Sequence, residues 1–64
     1  MIVQIYGTSH RGLIAIENAP SIEAALEKFY NGTARDGDKK HIRGDRLTIT
    51  AKNGIKRSYT AKKA

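Results

Sequence analysis

The sequence predicts an α+β domain in which one helix packs on one face of a four-stranded mixed sheet, in the order hairpin, helix, hairpin. Three observations predict it: apolar residues at helical spacing over residues 22–30, β-branched segments on both sides of that stretch, and glycine-rich turns between the paired segments. The 64 residues make one domain, 1–64. With 39% hydrophobic residues, we expect one small core and a narrow stability margin.

The first hairpin is predicted from two short segments rich in isoleucine. Met1–Tyr6 and Leu13–Glu17 have strand composition, and Gly7 and Gly12 bracket the turn between them. Because apolar side chains occur at both odd and even positions, the pattern leaves open which face of this hairpin points inward. Val3 and Ile5 share one face, and Ile2, Gln4 and Tyr6 share the other.

The helix is the most strongly patterned element of the sequence. Ser21 suits the N-cap, because its hydroxyl oxygen accepts a hydrogen bond from an otherwise unpaired amide of the first turn. One apolar stripe follows, made of Ile22, Ala25, Leu26, Phe29 and Tyr30. Asn31-Gly32 tolerates positive φ, so we expect the helix to end there after about nine residues. A helix this short requires packing against another element.

Residues 33–45 form a polar segment with four basic residues and three aspartates, which we interpret as a long loop. The alternative is that it contains a short strand at Lys39–Ile42, which turns at Arg43–Asp45 into the segment that follows.

The last hairpin is predicted from two alternating segments, Arg46–Lys52 and Ile55–Ala61, joined at Asn53-Gly54. A two-residue turn and a three-residue turn are both compatible with this sequence. A three-residue turn with Gly54 in the left-handed region pairs Ala51 with Ile55, and a change of one residue exchanges the two faces of the strands. We expect the three-residue turn, because it gathers the apolar residues on one face.

That register also predicts the two faces of the last hairpin. Leu47 lies opposite Tyr59 on the apolar side, together with Ile55, and Arg57 is the one charged residue there, expected near an edge with its head group in water. The solvent side then carries only basic and hydroxyl side chains: Arg46, Thr48, Thr50, Lys52, Lys56, Ser58, Thr60 and Lys62.

The order of elements resembles that of β-grasp folds, in which the first and last strands lie side by side at the centre of the sheet. A right-handed crossover through the helix would also set its flanking strands parallel. This resemblance implies an arrangement of strands and carries no function.

Charge and composition exclude several classes of function. The absence of cysteine excludes disulfides and thiolate metal sites, and two histidines fall short of a zinc site. No apolar run reaches the roughly 20 residues that span a bilayer, and no basic region precedes a long apolar stretch. We therefore expect a cytoplasmic protein without a membrane partner, a metal or a cofactor. We also expect no enzymatic activity, although His10 and His41 are potential acid–base groups.

The distribution of charge suggests a polyanionic partner. The net charge is +6, but residues 1–32 sum to −1 and residues 33–64 to +7. Lysine and arginine neutralise phosphates, and hydroxyl groups donate to phosphate oxygens. Since Tyr6 is the only aromatic candidate for the solvent face, we expect contacts to a DNA or RNA backbone rather than base reading. The predicted binding residues are Lys39, Lys40, Arg43, Arg46, Lys52, Lys56 and Lys62.

A protein-interaction module is the alternative function. A small accessory regulator, of the kind that mobile genetic elements often encode, would dock its basic loop or an edge strand onto an acidic partner protein. Self-association as a homodimer is a related hypothesis, because a small core and open sheet edges favour it.

Overall fold

The computed structural model describes residues 1–7 and 12–64, and it confirms the α+β class. The elements are β1 Ile2–Gly7, β2 Leu13–Asn18, α1 Ile22–Thr33, β3 Lys39–Arg43, β4 Arg46–Thr50 and β5 Lys56–Lys63. The strands form one sheet in the order β2-β1-β5-β4-β3, and α1 packs on one of its faces.

The sheet has five strands, so the prediction of four was wrong. Residues 33–45 are not a loop, because β3 pairs with β4 over its whole length, from Lys39 opposite Thr50 to Arg43 opposite Arg46. The turn between them uses Gly44 at φ 61. This is the alternative that the sequence left open. The polar composition of β3 misled the prediction because β3 is an edge strand, where charged residues are tolerated and discourage pairing with other chains.

The prediction of a mixed sheet was also wrong, because all neighbouring strands are antiparallel. The first and last strands, β1 and β5, do lie side by side, which is as far as the resemblance to a β-grasp arrangement extends. Helix α1 connects β2 to β3, which form opposite edges of the sheet. The strands that flank the helix therefore run in the same direction without being paired.

The core lies between α1 and the sheet. Apart from Ala19, which lies between β2 and α1, its buried residues come from every element except β2 and β3. They are Val3, Ile5, Ala19, Ala25, Leu26, Phe29, Leu47, Ile49 and Ala61. Phe29 of the helix contacts Tyr59 of β5 edge to face, with ring centroids 4.9 Å apart. Burial of Val3 and Ile5 decides the inward face of the first hairpin, so the even-numbered residues of β1 point away from α1.

The helix begins as predicted but ends later. The Ser21 hydroxyl oxygen accepts a hydrogen bond from the Ala24 amide at 3.0 Å. The helix then continues for 12 residues through Asn31-Gly32, and the Ala34 amide donates to the Tyr30 carbonyl at 2.8 Å. Gly32 does not adopt positive φ, so it does not terminate the helix.

The register of the last hairpin is confirmed. Leu47 lies opposite Tyr59, and the Ala51 amide donates to the Ile55 carbonyl at 2.8 Å across the turn. Gly54 has φ 89, which is the left-handed conformation that the three-residue turn requires. Ile55, however, is 62% exposed rather than part of the core, because it belongs to the turn and lies before the first residue of β5.

Arg57 points to the helix side of the sheet, as expected, but it does not lie near an edge. It belongs to β5, the central strand, and its guanidinium Nη2 donates to Asp38 Oδ2 at 3.1 Å. The Asp38 side chain is only 4% exposed, so this is a largely sheltered carboxylate rather than a surface ion pair.

Two glycine substitutions should have opposite effects on stability. Gly54→Ala places a side chain at φ 89, and we expect it to lower the free energy of unfolding by about 1–2 kcal/mol. Gly32→Ala lies in the last turn of α1 with no atom within 4 Å of the added Cβ, so it should raise that free energy by about 0.5 kcal/mol. Urea unfolding of both variants measures the two effects. If both substitutions changed the free energy of unfolding in the same direction, the assigned turn and helix end would be contradicted.

Within the described residues, no helix has the length and hydropathy needed to cross a membrane.

Candidate nucleic-acid interface

The sheet has one face covered by α1 and one face without a helix, which we call the open face. The pairing register determines which side chains share it, since directly opposed residues of neighbouring strands point to the same side. On β3, β4 and β5 the open face carries Lys39, His41, Arg43, Arg46, Thr48, Thr50, Lys56, Ser58, Thr60 and Lys62. We call these ten residues the basic face.

The basic face contains five cations and no carboxylate. The acids that form ion pairs among the described residues lie instead on the helix side of the molecule. Their pairs are Lys28–Glu17, Lys40–Glu27 and Arg57–Asp38. Asp45 lies at the rim, in the turn between β3 and β4. The positive charge of this face is therefore not balanced by neighbouring acids of the five strands.

Arg43 and Arg46 are the closest cations by register, because they face each other directly across β3 and β4. Like charges in opposed positions destabilise a strand pair. An anion bound between the two guanidinium groups would relieve that repulsion, and the fork of N–H donors on arginine suits the oxygens of a phosphate.

Five of the seven predicted binding residues lie on the basic face: Lys39, Arg43, Arg46, Lys56 and Lys62. Lys40 does not, because strand alternation turns it toward α1. It pairs with Glu27 and lies 5.4 Å from the centre of the Tyr30 ring. Its charge is thus already partnered within the protein.

Lys52, the remaining predicted residue, belongs to the turn after β4 and borders an open groove. The groove has a volume of about 400 Å³ and is lined by Gly37, Lys39, Thr50, Ala51, Lys52 and Gly54. A Cβ added at Gly37 would lie 3.1 Å from the Lys52 Cβ, so the absence of a side chain at Gly37 lets the lysine stem pass close to this loop. Two ammonium groups therefore border one groove, an arrangement suited to a phosphate.

A histidine and a tyrosine that were not among the predicted binding residues also lie on the open face. His41 lies opposite Thr48, within the basic face. Tyr6 of β1 lies opposite Thr60 of β5, and its hydroxyl donates to Gln4 Oε1 at 3.0 Å. The alternation of β1 contained the signal for Tyr6, but only the burial of Val3 and Ile5 shows which face it occupies.

The open face ends in an apolar strip on β1 and β2. Its members are between 43% and 57% exposed, and they are Ile2, Leu13, Ile14 and Ile16. The register shifts between Ile5 and Tyr6, so Ile14 is an extra residue that has no direct partner on β1. Charged and apolar surfaces thus lie side by side on the same sheet.

The two histidines are the candidate acid–base groups of the sequence. His10 lies outside the described residues, and His41 is exposed on the basic face. In the part of the chain that is described, no three His, Cys, Asp or Glu side chains are grouped as metal ligands.

Comparison of the chain with protein-family models, with curated proteins and with solved structures found no match. The site is therefore interpreted from its own residues: a sheet face with five cations, four hydroxyl groups and one neighbouring tyrosine.

Proposed function

We propose that this protein binds nucleic acid and contacts the phosphate backbone with its basic face. The observation that carries the proposal is the separation of charge across the sheet. Five cations share the open face, whereas the ion-paired carboxylates lie on the helix side. A polyanion is the ligand that such a face attracts most strongly, because each neutralised phosphate releases counterions.

The hydroxyl groups of the basic face support the same ligand. Thr48, Thr50, Ser58 and Thr60 alternate with the cations on β4 and β5. Hydroxyl donors make phosphate contacts that position a nucleic acid without reading its sequence. We therefore infer binding with little dependence on base sequence.

Titration with DNA, RNA and heparin at several salt concentrations tests the proposal. If all five cations contact phosphates of duplex DNA, the logarithm of the binding constant should fall with the logarithm of the salt concentration with a slope of up to about −4.5. NMR titration should shift amide signals of β4 and β5 more than those of α1. Binding that is indifferent to salt would refute the proposal.

A pair of adjacent lysines provides a matched test of which face binds. Lys62 belongs to the basic face, opposite Gln4, whereas its neighbour Lys63 lies opposite Val3, on the helix side. Lys62→Gln should weaken binding and reduce the magnitude of the salt slope by about 0.9, because one phosphate contact is lost. Lys63→Gln makes the same change in net charge and should leave the slope nearly unchanged. Equal effects of the two substitutions would mean that net charge, rather than this face, drives binding.

An acidic protein would use the same cations, so it is the competing ligand class. Poly-glutamate competition distinguishes the two. We expect poly-glutamate to displace a labelled duplex oligonucleotide poorly at equal charge, because an extended polypeptide carries one charge per roughly 3.5 Å, duplex DNA carries one per roughly 1.7 Å, and the sparser charge releases fewer counterions. Displacement as effective as that by unlabelled DNA would favour an acidic protein partner.

A further inference from the structure

The open face combines two surfaces that the proposed function alone does not explain together. Phosphate contacts account for the basic face on β3, β4 and β5. They leave the apolar strip on β1 and β2 without a role, although its four residues are each at least 43% exposed. The strip is continuous with the basic face, since β1 and β5 are paired neighbours.

Tyr6 lies at the border between the two surfaces. Tyr6 lies opposite Thr60, and Thr60 lies opposite Arg46. Arg46 in turn lies opposite Arg43, so the four residues form one row across β1, β5, β4 and β3. Neighbouring strands are about 4.8 Å apart, which places the backbones of Tyr6 and Arg46 about 10 Å from each other. The bond from the Tyr6 hydroxyl to Gln4 holds the ring along β1. By the same strand spacing the Arg43 backbone lies about 14 Å from that of Tyr6, so an aromatic residue and two arginines lie in one row that a short stretch of nucleic acid can span.

Resting on the proposed function, we propose that the ligand is single-stranded nucleic acid, with phosphates on the basic face and bases on Tyr6 and the apolar strip. A single strand presents phosphates and unpaired bases side by side, and sheet faces bind it by stacking bases on aromatic side chains. A duplex keeps its bases paired inside the helix, so it would cover the cations and leave the strip in water. A second copy of this chain also has a net charge of +6, so its approach to the basic face is opposed by repulsion between like charges.

Three ligands separate the base contacts from the phosphate contacts: the first two have the same number of phosphates, and the third, a duplex, has about twice as many. They are an eight-nucleotide oligothymidine, an abasic phosphodiester of the same length, and an eight-base-pair duplex. At one salt concentration, oligothymidine should bind at least about fivefold more tightly than the abasic chain, because stacking contributes about 1–3 kcal/mol per base. It should also bind more tightly than the duplex. In the unmodified protein, oligothymidine should shift the Tyr6 ring signals by NMR, and the abasic chain should not.

Paired substitutions locate the base contacts. Tyr6→Leu should weaken oligothymidine binding at least about fivefold and leave binding of the abasic chain unchanged, whereas Tyr6→Phe keeps the ring and should retain most of the affinity. Ile16→Ser should weaken oligothymidine binding. The matched change Ile55→Ser, at an exposed turn residue outside the strip, should not. The ring signals of the unmodified protein test the proposal independently of how well any variant folds.

The outcomes distinguish this inference from the proposed function. Equal, salt-dependent affinity for oligothymidine and the abasic chain would refute base contact and leave phosphate binding intact. Tighter binding of the duplex than of oligothymidine would also refute base contact and leave phosphate binding intact. If no ligand binds with salt dependence, the proposed function itself fails. A dimer of the free protein in sedimentation, dissociated by Ile16→Ser but not by Ile55→Ser, would assign the strip to a second copy and overturn the inference.

Discussion

Leu26→Ala should lower the free energy of unfolding by about 3 kcal/mol, one of the largest effects expected of a single substitution in this chain. The Leu26 side chain is fully buried between α1 and the sheet. Its truncation removes buried methyl groups and leaves a cavity, and such changes cost about 2–5 kcal/mol. A domain of this size has a total stability of about 3–10 kcal/mol, so the variant should be at or near the limit of folding.

Thermal unfolding followed by circular dichroism measures this effect. For so small a domain, about 3 kcal/mol corresponds to a decrease in Tm on the order of 15 °C. The matched control is Leu13→Ala, which removes the same atoms from a side chain that is 47% exposed on β2. The control should change stability by less than about 1 kcal/mol. Similar losses in the two variants would contradict the assigned core.

Asp38→Ala should produce the second large loss, about 2 kcal/mol of unfolding free energy. One carboxylate oxygen of this sheltered side chain, Oδ2, accepts from the Arg57 guanidinium at 3.1 Å and from the Arg35 amide at 3.0 Å. Hydrogen bonds to charged groups contribute about 1.5–3 kcal/mol, and the partial exposure of Arg57 places the expected effect in the lower half of that range. Removing the carboxylate also leaves the guanidinium, whose Nε already lacks a described partner, without its ion pair.

Asp38→Asn separates the charge from the hydrogen-bond geometry. The amide oxygen of asparagine keeps one acceptor for the Arg35 amide but removes the negative charge that faces Arg57. We expect Asp38→Asn to lower the free energy of unfolding by roughly half as much as Asp38→Ala. Urea unfolding in low and in high salt compares the two variants. If asparagine were as stable as the native protein, the ion pair would contribute nothing, and the segment between α1 and β3 would be held by other contacts.

The elements predicted correctly from the sequence are those whose apolar residues lie on one face only, so that the pattern identifies the buried side. The helical stripe from Ile22 to Phe29 has a single apolar face, and the alternation of Arg46–Thr50 permits only one register that buries Leu47 and Ile49. In both cases burial and local pattern agree, so the helix start and the position of Gly54 followed from the residues.

The errors arose where tertiary position overrides local pattern. Strand β3 is an edge strand rich in charge, which resembles a loop in sequence. Asn31-Gly32 is a typical helix stop, yet the helix continues through both residues to Thr33, and the Ala34 amide still donates to the Tyr30 carbonyl. The strand directions depended on where the helix crosses the sheet, and no local pattern encodes that path.

For the candidate site, alternation alone placed Arg46, Lys56 and Lys62 on one face. It did not separate Lys39 from Lys40, because the segment was interpreted as a loop, in which neighbouring side chains have no fixed sides. Nor did it place Tyr6, since both faces of the first hairpin carry apolar residues.

Strand β5 is last in the sequence but central in the sheet, and this position bears on how the molecule assembles. Among the described residues, the β1–β2 ribbon and the β3–β4 ribbon are not paired with each other, and within the sheet each is paired with β5. The sheet is complete only when β5 inserts between the two ribbons. The pairing of β5 with β1 joins residues far apart in the chain, such as Val3 and Lys63. Contacts of such long sequence separation slow folding, because loop entropy is lost before they form. We therefore expect one all-or-none transition in which both ribbons gain and lose structure together.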